Sequence, residues 1–264
     1  MSKLISTIVS DTLFLFNIAD GSVPDASVIS KFAHLENLTT DLTDVWDEGD
    51  PADAGFYPYP VSSTQVTVSS ASALDTHTTG TGARTIKIYG LDDSKKEVSE
   101  ILSLTGQAPV TSVNSYYRVH RAKIITTGTL GWNAGHVYIG TGTVVAGVPP
   151  VVLARITYDT KAAAGENSTL MSQFTVPTGK VAFLRRFWFN ISKQNEAEVW
   201  LKARPEGECF QTTLRLMRKQ GSEQHVMDGV IVFSAGTDIV VRAQRTGAAN
   251  TDIACGYDLF LLPV

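Results

Sequence analysis

The sequence predicts an all-β protein: an antiparallel β-sandwich of jelly-roll type, in two halves, preceded by an extended N-terminal arm. Three observations predict it. Apolar residues recur at every second position along most of the chain, as where Val199, Leu201 and Ala203 alternate with Glu198, Trp200, Lys202 and Arg204, which is the period of a strand with one buried face. Turn formers such as Asp92-Asp93-Ser94, Thr105-Gly106 and Pro177-Thr178-Gly179 separate these runs at short intervals, as antiparallel sandwiches require. Helical periodicity is scarce, so no strand–helix–strand unit and no doubly wound nucleotide-binding fold is expected.

The arm spans residues 1–55. Its apolar patch around Leu13, Phe14, Leu15 and Phe16 is bracketed by Asp11 and Asp20 and lacks a basic leader, so it does not read as a signal peptide. No apolar run approaches the ~20 residues of a membrane span, and a soluble protein is expected. Residues 26–38 form the best helical candidate, with Val28, Phe32 and Leu35 near one face and Asp25 as cap. The arm ends in an acidic run, with Asp44, Asp47, Glu48, Asp50 and Asp53 crowded around Trp46, Phe56, Tyr57 and Tyr59. Its offsets do not fit an EF-hand, so no metal is assigned. The aromatic residues instead suit an extended segment anchored across a neighbouring surface.

The first half, 56–150, contains strand patterns at 65–69, 85–89, 98–104, 117–125 and 136–139. Between the first two lies Thr79-Gly80-Thr81-Gly82, which resembles a phosphate loop. Such a loop must open a helix whose N-terminus faces the phosphates, whereas here Arg84-Thr85-Ile86-Lys87-Ile88-Tyr89 follows as a strand. The glycines are therefore expected to serve a turn through positive φ. Gly140-Thr141-Gly142-Thr143 reads in the same way.

The second half, 151–264, follows the break "VAGVPP" and carries strand patterns at 170–176, 181–190, 198–204, 209–216, 230–233, 239–244 and 255–262. Within it, "FLRRFWFN" interleaves Arg185 and Arg186 with Phe183, Phe187, Trp188 and Phe189. Such a pattern can stack on nucleic acid or sugar. Strict alternation would put Phe183, Arg185, Phe187 and Phe189 on one face and Leu184, Arg186 and Trp188 on the other. Two apolar faces favour a strand buried between sheets or in a subunit contact, with the arginines bridging carboxylates.

Composition narrows the function. Of 264 residues, 43% are hydrophobic and 18% charged, which suits a globular chain rather than a disordered one. A net charge of −4 without a Lys/Arg block argues against nucleic-acid or anionic-membrane partners. The five histidines, His34, His77, His120, His136 and His225, are scattered with no metal-ligand spacing, and there is no GxSxG elbow. No catalytic residue, cofactor or metal is assigned, and the protein is not expected to be an enzyme. His120 shares a strand face with Arg118 and Ala122 and is read as a surface or interface histidine. Cys209 and Cys255 have no CxxC neighbour and are read as reduced.

The segments "SKFAHLENL", "DVWDEGDPADAGFYPYP", "TGTGARTIKIYGLDDSKKEVSEILSLTG", "VTSVNSYYRVHRAKIITTGTLGWNAGHVYIG", "LMSQFTVPTGKVAFLRRFWF" and "GTDIVVRAQRTGAANTDIACGYDLFLL" occur in this order. Together they resemble a family of tailed-bacteriophage virion structural proteins. The resemblance runs from about residue 28 to 264 and is most specific at Gly82-Ala83-Arg84-Thr85, Arg118-Val119-His120-Arg121-Ala122 and Asn133-Ala134-Gly135. At Trp46-Asp47-Glu48 the chain is more acidic than the family pattern. The resemblance implies a non-enzymatic component of the phage particle. A capsid decoration or cement protein is favoured, with the major capsid protein or other virion proteins as partners and a homo-oligomer, a trimer by preference. A neck, tail or fibre protein is the alternative, with host glycans met through Trp132, Tyr138 or Trp200, and a free glycan-binding or hydrolytic module is the third reading. The residues expected at contacts are Trp46, Phe56, Tyr57, Tyr59, Arg185, Arg186 and Trp188.

Overall fold

The computed structural model describes residues 16–18, 20–47, 55–247 and 251–264, without the side chains of 193–195, 219–220 and 228–230. It is an all-β protein made of antiparallel sheets. The strands are β1 (Ser27–Leu38), β2 (Thr43–Asp44), β3 (Thr64–Ser70), β4 (Ala83–Leu91), β5 (Glu97–Ser103), β6 (Val110–Tyr116), β7 (Arg118–Thr127), β8 (Val137–Thr141) and β9 (Val151–Ile156). Three two-residue strands and the long strands follow: β10 (Tyr158–Asp159), β11 (Ala164–Gly165), β12 (Phe174–Thr175), β13 (Lys180–Arg204), β14 (Gln211–Phe233), β15 (Asp238–Arg245) and β16 (Thr251–Pro263), with β13, β14 and β16 the longest.

Strands β3 to β9 form a sandwich. A four-stranded sheet ordered β6-β3-β8-β9 faces a three-stranded sheet ordered β5-β4-β7. Alternation supplies the core: Val66, Val68, Val137 and Ile139 from one sheet meet Ile86, Ile88, Leu102 and Val119 from the other. Strands β6 and β9 are additions to the sequence reading. In β6, polar residues and the exposed Val113 hide the period, and β9 starts directly after Pro149-Pro150, a position where proline costs no ladder hydrogen bond.

The remaining strands form one seven-stranded sheet, and it folds back on itself. Along one edge of β13, Lys180 to Ile191 pair with β16, whereas Ala197 to Arg204 pair with β15. β14 follows β13 along the other edge, with a register break between Ile191 and Glu196. β1 and β2 continue this division, pairing with β16 and β15 respectively. A hydrogen-bond chain shows that the two halves face each other: Tyr257 Oη donates to the Ser172 carbonyl, and Ser172 Oγ bonds the Val241 backbone. The β13 partners of Tyr257 and Val241 are Phe187 and Leu201; on a straight strand these would stand roughly 45 Å apart. Between the halves lies one core of Leu184, Phe187, Phe189, Val199, Leu201, Val241, Ile253 and Leu259, among others. The sequence patterns at 181–190 and 198–204 are thus two halves of one bent strand, as are those at 209–216 and 230–233.

The segment read as a helix is the strand β1. Asp25 has φ 55°, outside the geometry of an N-cap. Ile29, Lys31, Ala33 and Leu35 face inward while Val28, Ser30, Phe32 and His34 face outward. The spacing of Val28, Phe32 and Leu35 fits a helix, but it arises from two opposite strand faces. β-branched and aromatic residues favour the ladder offered by β16.

Candidate interaction face

Strand pairing sets an apolar surface on the outside of the folded sheet, over β1, β16, β13 and β14. Val28, Phe260, Phe183 and Val232 stand in one row across the four strands. Phe32, Gly256, Trp188 and Gln224 make another. Val28, Phe32, Val226 and Val232 remain 40%, 41%, 45% and 50% exposed, while Phe183 and Trp188 are half-buried. Phe32 stacks on Trp188 with ring centroids 5.6 Å apart. Their approach depends on Gly256 between them, where a Cβ would come 2.7 Å from Trp188 Cζ2.

The centre of the face is polar and satisfied. Arg186 Nε donates to Asp258 Oδ2 at 2.7 Å, and Ser30 Oγ donates to Asp258 Oδ1 at 2.7 Å. One end is already covered: Ile18 is buried there beside Leu262, with Val23, Val181, Phe183 and Phe260 packed around them. An apolar field of this kind around a fixed ion pair marks the surface as a candidate for a protein contact.

Sequence parity misassigned this strand. Against β16, a β-bulge between Leu184 and Arg186 gives β13 an extra residue, Arg185, and reverses which side chains face the core beyond it. Leu184, Phe187, Phe189 and Ile191 therefore point inward. Phe183, Arg186 and Trp188 point outward together. The expected arginine–carboxylate bridge is Arg186 to Asp258, and Arg185 sits half-buried at the bulge.

The other expected contact residues lie elsewhere. Trp46 and Tyr57 belong to the chain's own core, 3% exposed each, which corrects the expectation that they anchor on a neighbour. Their segment is drawn inward because Asp44 accepts the Tyr57 N–H at 3.0 Å and Arg242 Nε at 2.7 Å, while Trp46 Nε1 donates to the Gly55 carbonyl at 3.2 Å. Phe56 and Tyr59 pack on arginines: Arg242 lies 4.7 Å from the Phe56 ring centroid and Arg204 4.5 Å from that of Tyr59. Glu48, Asp50 and Asp53 fall outside the described residues. Among the described residues, no group of three or more His, Cys, Asp or Glu could hold a metal ion, and no helix is long and apolar enough to cross a membrane. Of the aromatics considered for glycans, Tyr138 and Trp200 are buried and Trp132 is half-buried.

His120 is also internal. Its Nε2 accepts the Thr175 N–H at 3.1 Å, and burial, followed by the charges of Lys31 and Arg118, holds it neutral by pushing its pKa well down. Cys255 is buried and Cys209 exposed, and both are free thiols.

A polar cleft of ≈ 370 Å³ opens beside β1 and β9, lined by Glu36, Asp47, His136, Arg155 and Glu166 among others. Asp47 accepts the Leu170 N–H at 3.1 Å, yet burial pushes its carboxyl up to about 7. The folded state therefore binds this proton more tightly than the unfolded chain, whose aspartate titrates near ~3.9. Stability from this group is greatest below that value and falls as pH rises to about 7. Asp47→Asn is expected to flatten the pH dependence across this window, as read by urea unfolding between acidic and neutral pH. An unchanged slope would remove Asp47 as its source.

No family model and no curated protein matches the chain. Among solved structures, an Eiger TNF from S. frugiperda is 10% identical, with 69% of this chain and 93% of that chain covered and a TM-score of 0.22. A mosquito-larvicidal toxin from Bacillus thuringiensis is 9% identical over 69% of this chain and 42% of that chain, at a TM-score of 0.25. An infectious bursal disease virus structure, of the Gt strain, is 10% identical over 95% of this chain and 78% of that chain, at a TM-score of 0.21. Scores this low carry no weight for function, and the fold rests on the strand pairing above.

Proposed function

We propose that the protein is a non-enzymatic structural component of a tailed-bacteriophage virion, a decoration or cement protein that self-associates, as a trimer, and binds the major capsid protein of the head shell. The observation that carries this reading is the exposed apolar face built by Phe32, Trp188, Val226 and Val232 around the Arg186–Asp258 pair. The free edge of the same sheet adds to it: β14 runs 23 residues and, among the described residues, pairs with β13 alone. A long unpaired edge offers its backbone N–H and C=O groups to a strand from a second chain. The resemblance of the sequence to virion proteins supplies the setting.

Charge placed on the face tests the contact. Phe32→Glu combined with Trp188→Glu is expected to leave the circular-dichroism spectrum unchanged, since both side chains are solvent-facing, and to reduce the oligomer to monomers that no longer bind shells. An oligomer of unchanged mass in light scattering would sink the assignment of this face. Position in the particle is read by quantitative mass spectrometry of purified virions. A copy number near parity with the major capsid protein is expected for a decoration protein; a few per cent would move the chain to the neck, tail or fibres, and absence would end the virion reading.

A further inference from the structure

Lys31 is the exception on the inward face of β1. It is 4% exposed, and its Nζ donates to the His120 carbonyl at 2.5 Å. No carboxylate lies within ion-pair distance of it among the described residues. It lines a cleft of ≈ 250 Å³ where β1 meets the outer side of the β5-β4-β7 sheet, room for several waters at roughly 30 Å³ each. The other charged and titratable groups facing this cleft are Tyr89 from β4, Glu97 from β5, and His120, Arg121 and Lys123 from β7. Arg121 Nη2 donates to the Ser30 carbonyl at 2.8 Å, which fixes its guanidinium at the wall. His120 is neutral and already accepts from Thr175. Three basic side chains thus share a cleft with one exposed carboxylate, Glu97.

We propose that this cleft binds a small oxyanion of the phosphate or sulfate class, held by Lys31, Arg121 and Lys123. A buried ammonium without a counter-charge is unfavourable, and a methionine of similar volume would fill the position without that cost. An oxyanion supplies the missing charge and several acceptors at once, and Arg and Lys beside it provide the donors that such groups require. Burial, then the charge of Arg121, pushes the Lys31 amine well below the ordinary lysine value in the unliganded state. A bound anion favours the protonated amine, so binding takes up a proton and tightens as pH falls toward that lowered value.

The test uses the full chain and inorganic phosphate. Thermal unfolding is followed while phosphate replaces chloride at constant ionic strength, and binding is measured calorimetrically in two buffers of different ionisation enthalpy. A saturable rise in Tm specific to phosphate, with proton uptake, is expected. Lys31→Met is expected to weaken phosphate binding by about tenfold or more while leaving the ligand-free Tm at or above that of the parent. Arg121→Gln, at the half-exposed wall, is expected to weaken binding too, and it carries the same test if Lys31→Met does not fold. A Tm that responds equally to phosphate and chloride, or undiminished affinity in both variants, would overturn the assignment.

Discussion

Replacing Asp238 with alanine is expected to cost the folded protein about 3–5 kcal/mol, the range for removing one partner of a buried ion pair. Asp238 is 4% exposed. Its Oδ1 accepts Arg118 Nε at 3.1 Å and Thr175 Oγ1 at 2.5 Å, and its Oδ2 accepts Arg118 Nη2 at 3.2 Å and Arg204 Nη2 at 2.5 Å. Arg118 comes from β7 of the sandwich, whereas Thr175, Arg204 and Asp238 come from the folded sheet, so this carboxylate ties the two bodies together. Without it, two guanidiniums face each other with no carboxylate between them, left with the hydrogen bonds of Arg118 to the Pro60 and Tyr117 carbonyls and the packing of both arginines on the Tyr59 ring. Burial alone would raise the Asp238 carboxyl; the hydrogen bonds and charge of Arg118, with Thr175 and Arg204, outweigh it and hold the carboxyl below its ordinary value. A lowered folded-state value means that this stability is complete above ~3.9, the unfolded value, and is lost as pH falls through the folded one. The gap between the parent and Asp238→Asn in urea unfolding should therefore be widest near neutrality and should narrow below about pH 4. A loss under about 1 kcal/mol for Asp238→Ala, the size of an exposed pair, would show that water already screens these arginines.

The junction also shows what the sequence could and could not disclose. Alternation revealed most strands because each has one buried face, and the carboxylate bridge expected of the Arg185-Arg186 stretch is present as Arg186 to Asp258. The composition of the face was not legible. Phe32, Trp188 and Phe260 meet only through pairing between β1, β16 and β13, and Gly256 is needed there for close approach rather than for its torsions, a role no local pattern signals. The bulge at Arg185 adds a residue without changing composition, so parity counted along the chain gave the wrong facing from Arg186 to Phe189. His120 was hidden for a related reason: as a polar residue on a strand it reads as surface, whereas Lys31, Phe174 and Thr175 pack against it in the fold. Phe56, Tyr57 and Tyr59 pack within the chain itself, against Asp44 of the arm, Arg118 of the first half and Arg204 and Arg242 of the second, partners that no local pattern signals.

Asp75→Ala is expected to destabilise the sandwich by several kcal/mol, on the order of 1–3 for each buried donor left without an acceptor and less whatever an entering water recovers. Asp75 is fully buried. Its Oδ1 accepts the N–H groups of Ala83 at 2.6 Å and Ala134 at 2.8 Å, and its Oδ2 accepts Ser70 Oγ at 2.6 Å and the Gly135 N–H at 3.1 Å. The three backbone donors belong to the Gly82-Ala83-Arg84-Thr85 and Asn133-Ala134-Gly135 segments. The glycine-rich loop does gather backbone N–H groups around an anion, but the anion is the chain's own carboxylate, and the β4 strand follows where a phosphate loop would begin a helix. The glycines are required for proximity rather than for positive φ: a Cβ on Gly82 would stand 2.2 Å from Asp75 Oδ1, and one on Gly80 2.2 Å from the Leu74 carbonyl oxygen. Gly82→Ala should therefore damage the same network from the other side. Because each substitution alone displaces the carboxylate from its donors, Asp75→Ala and Gly82→Ala together should cost well under the sum of the two in chemical denaturation. Full additivity would mean that the loop and the carboxylate act independently, and the internal-anion account of the glycine motif would fail.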